Sequence, residues 1–448
     1  MKKTIRHIAC DILNSVSQDQ AFAGVLLDAS LDEQNISGTA DGRLLTHLVY
    51  GVLRFQGHLD WIITKLYSGD YSRMDQAVNN ILRVGLYQLK FSDRLPAFAV
   101  VDEAVKIAKK TTPAASGLVN AILRSYLRNA DKIPFPSLEK NPDEHIATFY
   151  SHPLWLVKMW LNIFGQEETM ALCQANNELP PLTIRVNTLK VSREDLTEKL
   201  KQEDFSCEPT RFSPDGINLP DPPRPIQKTN FFKEGLLRLQ DEAAQLVSYL
   251  VNPQSGEYIL DVCAGSGGKT SHLAALMKNK GRIVTLDRDM EKMAQLKKDA
   301  LRMGVSIIDP LHADLSHPLS ADFLDKFDHV LVDAPCSGTG TLRRNPEIKW
   351  RLASADLNTF SKTQKLILCN ASNAVKKGGY LIYCTCSVLP HENDEVIRQF
   401  LTDNPQFAIE IPSPAISDQL ADSRGFFRTY PHRHNTDGFF GAILRRRI

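Results

Sequence analysis

The chain lacks the marks of several protein classes. No stretch of its 448 residues approaches the roughly 18 apolar residues a membrane-spanning helix needs, so no membrane association is expected. Its eight cysteines form no CxxC pair, which argues against both a zinc site and a disulfide framework. The start, Met1-Lys2-Lys3-Thr4-Ile5-Arg6-His7, is basic like a secretory leader, but charged and polar residues interrupt it before an apolar core forms. Net charge is nearly absent: 53 Lys and Arg stand against 52 Asp and Glu, so nucleic-acid binding must come from local patches. Internal repeats and low-complexity tracts are missing too. A cytoplasmic, reducing location is the expectation for a chain with exposed reactive thiols.

What is present divides the chain. One core is too few at this length, and two or three domains are expected. Over residues 1–135 apolar residues recur at helical spacing (Ile5, Ile8, Ile12; Leu59, Ile62, Leu66; Ile81, Leu82, Leu86, Leu89) with almost no β-branched alternation, which predicts an all-α domain. Residues 1–130 carry 15 Lys and Arg against 12 Asp and Glu, a surplus suggestive of RNA contact. Pro134, Pro136 and Pro142 mark a linker. Residues 146–235 read as connecting helices and a small α/β module, with a helix around Leu154, Val157 and Trp160, a strand at 182–187 and a helix at 192–202. Over 236–448, strands near 258–262, 282–287, 305–311, 328–333 and 379–385 alternate with helices, which implies an α/β fold with a parallel, doubly wound sheet. A last strand at 438–444 is expected to close its edge.

Ile-Leu-Asp-Val-Cys-Ala-Gly-Ser-Gly-Gly-Lys-Thr (259–270) reads as a strand, a glycine loop and a helix start. A Walker A loop needs glycine where Cys263 stands, and a dinucleotide fingerprint needs glycine where Thr270 stands, so both fail. The remaining option is the loop of S-adenosylmethionine enzymes, in which an acid ends the next strand. Asp287 does so, 19 residues after Gly268, at the right distance for ribose hydroxyls. Asp314 closes the third strand and suits the adenine side.

Two cysteines end predicted strands of the same domain, where open α/β sheets bind ligands. Cys336 lies in Val-Asp-Ala-Pro-Cys-Ser-Gly-Thr-Gly (332–340) and Cys386 in Leu-Ile-Tyr-Cys-Thr-Cys-Ser-Val (381–388). Such a set suits C5-methylation of cytosine. A thiolate adds at C6, C5 then takes a methyl group, and loss of the C5 proton with expulsion of the thiolate restores the ring. Asp333 is the natural partner for the pyrimidine N3/N4 edge, with an apolar pocket to raise its pKa. The residues alone leave open which cysteine attacks. Cys384 lies two before Cys386, shares its face and reads as packing.

These motifs resemble the bacterial RNA (cytosine-5)-methyltransferases of the Sun/Fmu type, which implies a class I S-adenosylmethionine-dependent methyltransferase fold. Leu-Arg-Arg-Asn-Pro-Glu-Ile-Lys-Trp (342–350), Arg-Val-Asn-Thr (185–188) and Asp-Gly-Phe-Phe (437–440) carry the likeness beyond the catalytic motifs. The helical start, through Val-Gly-Leu-Tyr-Gln-Leu (84–89) and Gly-Leu-Val-Asn-Ala-Ile-Leu-Arg (117–124), is similar to the RNA-binding NusB domain. The resemblance implies Cys386 as nucleophile and Cys336 as the group assisting release. It implies cofactor contacts from Cys263, Ala264, Gly265, Ser266, Gly267, Gly268, Lys269, Asp287, Asp314 and Asp333, with S-adenosylmethionine as cofactor and no metal. The implied partner is 16S rRNA, at a small-subunit cytosine, position 967 in the usual numbering, and the enzyme is expected to act as a monomer. Two features depart from the family pattern: Gly265-Ser266 replaces Ala-Pro, and Cys384 stands where Ala is usual.

Arg343, Arg344 and Lys349 follow directly on the Cys336 turn and are candidates for phosphate contact, with Trp350 able to stack or to pack. To reach C6 the enzyme must find its base unstacked, so structured RNA with an exposed cytosine is the expected substrate. The alternatives are a tRNA or large-subunit rRNA methyltransferase, or a ribosome-assembly or antitermination factor that only binds RNA. Two aligned thiols speak against the last.

Overall fold

The computed structural model describes residues 3–19, 21–92, 95–412 and 418–447, so Met1 and Lys2 of the basic start lie outside it. The chain forms two compact units, Met1–Leu179 with Leu342–Ser354, and Pro180–Thr341 with Ala355–Ile448.

The first unit is helical: α1 (Ile5–Asp19), α2 (Ala23–Glu33), α3 (Ala40–Leu66), α4 (Gln76–Phe91), α5 (Ala97–Thr111), α6 (Ser116–Asn129), α7 (Pro142–Phe149) and α8 (Leu154–Asn177). Short polar side chains set helix starts. Thr39 Oγ1 accepts from Gly42 N at 3.2 Å before α3, and Asp75 Oδ1 accepts from Ala77 N at 2.7 Å before α4. The predicted apolar positions Ile8, Ile12, Leu59, Ile62, Ile81, Leu82 and Leu86 are all buried. Each such side chain contributes about 1.5–3 kcal/mol, and Leu86→Ala would cost about 2–5 kcal/mol. Helix α4 is buried without a break from Val78 to Gln88, so its Arg83 needs an internal partner. Asp60 supplies one, taking Nε at 2.6 Å and Nη2 at 2.8 Å. The proline stretch expected as a linker packs against helices: Trp61 Nε1 donates to Pro134 O at 2.9 Å, and Pro142 opens α7.

The second unit holds two sheets. Strands β1 (Thr183–Val186), β2 (Glu208–Pro209), β3 (Gly216–Asn218) and β4 (Leu237–Leu239) form an antiparallel sheet in the order β2-β3-β1-β4. The larger sheet comprises β5 (Tyr258–Val262), β6 (Arg282–Asp287), β7 (Ile308–His312), β8 (Phe327–Asp333), β9 (Val375–Thr385), β10 (Phe407–Glu410), β11 (Phe427–Thr429) and β12 (Phe439–Arg446). Its order is β10-β12-β9-β8-β5-β6-β7, with β11 beside β12. Strands β5 to β9 run parallel, and β10 to β12 are antiparallel, so the sheet is mixed. The predicted last strand is therefore not the edge: β12 lies between β9 and β10. From β5 the chain builds outward through β6 and β7, then returns to place β8 on β5's other side. That reversal, between β5 and β8, is a topological switch point, where open α/β sheets bind ligands.

Candidate active site

The glycine loop leaves β5 and is held from several sides. Cys263 takes a left-handed φ of +62°, and Ala264 N donates to Leu286 O at 3.1 Å. Gly265 N donates to Asp287 Oδ2 at 2.7 Å, while Asp289 N donates to the other oxygen at 2.8 Å. Gly267 N closes a turn onto Ala264 O at 3.0 Å, and Gly268 opens the helix Gly268–Leu276. Two arginines of the small sheet brace this loop and escaped the sequence reading as supports. Arg185 in β1 donates to Gly268 O at 2.6 Å and Ser271 Oγ at 2.9 Å. Arg238 in β4 donates to Ser266 O and Oγ, each at 3.0 Å. Burial and its neighbour Arg238 push the Arg185 pKa down to about 9.

The donor set fits an adenosyl amino-acid cofactor. Nothing lies within 4 Å of the Cβ position of Gly265, so the loop leaves open space above it. Each Asp287 oxygen accepts one backbone N–H and keeps a second lone pair for a ribose hydroxyl. Asp261, which the sequence reading passed over, is buried with its Oδ1 unpartnered. Burial raises its pKa to about 7, against the hydrogen bond from Thr270. Asp314 lies just past β7, exposed, and accepts from Ser316 N at 2.9 Å. That bond holds its pKa below the usual carboxylate range.

Asp333 ends β8 and was expected in an apolar pocket. It instead accepts from Lys269 Nζ at 2.6 Å through Oδ2 and from the Cys384 thiol at 3.4 Å through Oδ1. Burial disfavours the Lys269 ammonium, yet Asp333 and the nearby thiols outweigh it and raise its pKa. The loop lysine thus ties the glycine loop to the end of β8. Cys384 is fully buried, opposite Asp333 in the β8–β9 register, and burial pushes its thiol well up.

The two sequence-predicted thiols meet: Cys336 Sγ and Cys386 Sγ are 3.3 Å apart. Their turns leave adjacent parallel strands and are stitched by Ala334 N to Cys384 O at 3.0 Å and Gly340 N to Cys386 O at 2.9 Å. A Cβ on Gly340 would stand 1.9 Å from Gly438 O, so only glycine permits this approach. The Cys386 sulfur, then burial, hold the Cys336 pKa well above the ordinary thiol range.

The basic segment after Cys336 is a correction. Lys349 and Arg343 are buried, and segment Leu342–Ser354 belongs to the helical unit. Lys349 Nζ donates to Asn177 Oδ1 at 2.8 Å and to Arg54 O and Ser151 O at 3.2 Å each. Arg54 Nη2 donates to Arg343 O at 3.0 Å, and Trp350 Nε1 to Leu53 O at 2.7 Å. Arg344 is half-buried. Lys349 is enclosed with its donors taken by the oxygens of Asn177, Arg54 and Ser151, and burial lowers its pKa well below the ordinary value. Among the described residues no three His, Cys, Asp or Glu side chains are arranged to hold a metal ion. No helix among them is long and apolar enough to cross a membrane.

Sequence comparison agrees with this architecture. The family model described as 16S rRNA methyltransferase RsmB/F matches residues 248–445. The NusB family matches residues 3–128, and a ferredoxin-like domain of RsmF/B-like methyltransferases matches 152–227. The probable ribosomal RNA small subunit methyltransferase B of Bacillus subtilis is 35% identical over 100% of both chains. The chain belongs to the ribosomal RNA small subunit methyltransferase B family. The Escherichia coli (strain 536) ribosomal RNA small subunit methyltransferase B is 33% identical over 99% of each chain. The crystal structure of PH0851 is 29% identical and superposes with a TM-score of 0.84 over 100% of both chains. The helical start is thus a NusB domain, and the mixed sheet is a methyltransferase domain.

Proposed function

We propose that this chain methylates C5 of a cytosine in small-subunit rRNA, with S-adenosylmethionine as methyl donor and Cys386 as nucleophile. The observation that carries the reading is the pair of thiols 3.3 Å apart, beside the Lys269–Asp333 pair, at the switch point of the sheet. The loop Cys263–Lys269 with Asp287 and Asp314 would hold the cofactor, which when bound supplies an electrophilic methyl group. Cys386, its S–H proton first released to solvent, bonds as the thiolate through Sγ to C6 and moves the C5–C6 π electrons onto C5. Asp333 and Lys269 present an acceptor and a cation to the N4/N3 edge, where negative charge collects as the ring loses aromaticity. After methyl transfer, departure of the C5 proton re-forms the C5–C6 double bond and expels Cys386 Sγ, a step that Cys336 assists. The relatives' names support small-subunit rRNA as substrate, and cytosine 967 of 16S rRNA is the target implied by the family resemblance alone.

The test is a denaturing gel of wild type, Cys336→Ala and Cys386→Ala with small-subunit rRNA and cofactor. Cys336→Ala alone should give a covalent protein–RNA band. A band from Cys386→Ala alone would reverse the two roles, and no band with no methyl transfer from any protein would overturn the reading.

A further inference from the structure

Each of the two cysteines is followed by a serine, and both serines reach the same carboxylate. Glu392 lies in the short turn Pro390–Glu392 and is fully buried. Its Oε2 accepts from Ser337 Oγ and Ser387 Oγ, each at 2.5 Å. Its Oε1 accepts from Ser337 N at 2.8 Å and Gln364 Nε2 at 3.0 Å. Four donors therefore meet the four lone-pair positions of one carboxylate. Gln364 extends the grip by donating also to Pro335 O at 3.0 Å, and Tyr383 OH anchors Glu392 O at 2.6 Å.

We infer that Glu392 is the positioning residue that holds the Cys336 and Cys386 turns at reacting distance, by bridging the serine that follows each cysteine. The inference rests on the proposed two-cysteine reaction, but its geometry stands without RNA. Hydrogen bonds from hydroxyls to a carboxylate are short and strong, and removal from water strengthens them. The turns leave separate strands, β8 and β9, and this carboxylate joins them side chain to side chain next to both sulfurs. A displacement of about an ångström in a reacting constellation can cost about 10²-fold in rate. Glu392 also places a negative charge near the Cys336 thiol, one of the causes that keep that thiol protonated.

Glu392→Ala removes the bridge. Glu392→Gln can retain it, because the amide oxygen still accepts both N–H groups while the amide nitrogen donates to hydroxyls that rotate. Two readouts separate positioning from simple folding. The first is covalent protein–RNA adduct and methyl transfer with small-subunit rRNA and cofactor. The second, without RNA, is the rate at which diamide bridges Cys336 to Cys386, followed by peptide mass mapping. In that step two S–H bonds break, an S–S bond forms, and the azo N=N of diamide takes up both hydrogens.

The expected result for Glu392→Ala is about 10²-fold slower methyl transfer, a persistent adduct like that of Cys336→Ala, and about tenfold slower bridging. Glu392→Gln should restore both readouts most of the way. Wild-type bridging by a folded Glu392→Ala protein would overturn the inference whatever the RNA assay gives. Slow bridging with no adduct from Cys336→Ala would uphold the clamp and overturn the covalent reading instead. If Glu392→Ala does not fold, Ser337→Ala/Ser387→Ala breaks the bridge from the donor side and is judged by the same readouts.

Discussion

Two lysines, one in each unit, are drawn from water in opposite ways. Lys269 meets the carboxylate of Asp333, and its pKa rises despite burial. Lys349 meets two carbonyls and an amide oxygen. Burial, with Arg54 nearby and only Cys173 opposing, lowers its pKa well below the ordinary value. Lys349 places three hydrogen bonds and Lys269 one, so what separates them is the charge of the acceptor and not the number of bonds. Neutral acceptors satisfy the donors without compensating the charge, whereas a carboxylate does both. The catalytic unit thus keeps an ion where charge is to be managed, and the helical unit uses a lysine as a three-armed post.

The sharpest way to break this contrast is to remove the chemistry and leave the post. Cys386→Ala should reduce methyl transfer to background while thermal melting and cofactor binding stay close to wild type. Substantial residual activity would remove Cys386 from its role. Next come the lysines themselves. Lys269→Met should slow methyl transfer by about 10²–10³-fold, as loss of an electrostatic stabiliser does. Lys349→Met should leave the rate per folded molecule unchanged and lower stability by about 1–3 kcal/mol, because three buried acceptors lose their donor. Exchanged outcomes in rate and melting assays would invert the contrast. Smaller again is Asp287→Ala, expected to weaken cofactor binding by roughly 10-fold to 100-fold, the loss of one or two hydrogen bonds to a charged group. Calorimetry should find RNA affinity almost untouched, and equal losses would undo the ribose assignment.

The smallest effect is in pH. Folded Lys349 titrates well below the unfolded value of about 10.4, so between the two the unfolded chain binds a proton that the folded chain refuses. Stability from this site therefore rises with pH up to about 10. Lys269 has the reverse sign: its folded value lies above the unfolded one, so its contribution is complete at neutral pH and is lost only as pH climbs past about 10. The difference in melting temperature between wild type and Lys349→Met should grow from pH 7 to pH 10. That for Lys269→Met should stay flat.

The methyltransferase sheet was readable because its parallel strands are short, mostly apolar runs, such as Ile283 to Leu286 and Val330 to Val332, that end at acids. Strands β10 and β11 were missed: they are four and three residues long, and β10 pairs antiparallel with a β12 that is distant in sequence. Of the site, the loop and both cysteines were legible because motif and strand end coincide. The Lys269–Asp333 pair spans 64 positions and the Glu392–Ser337 bond 55, beyond any local window. Glu392 did leave a trace in the repeated Cys-Ser at 336–337 and 386–387. The basic run at 343–351 misled because charge was read without burial. Leu342, Ile348 and Trp350 interleaved with it were the signal that the segment packs.

Segment Leu342–Ser354 has a consequence for taking the molecule apart. The polypeptide passes from the reactive Cys336 turn straight into the helical unit's interior and comes back, so the catalytic half is interrupted in sequence. No single cut releases it whole. A fragment starting at Pro180 would carry Trp350 and a lysine stripped of its three acceptors into water, and a fragment ending at Leu179 would leave their berth vacant. Swapping the whole helical unit between relatives therefore requires three crossovers, after residues 179, 341 and 354, the second only a few residues beyond Cys336.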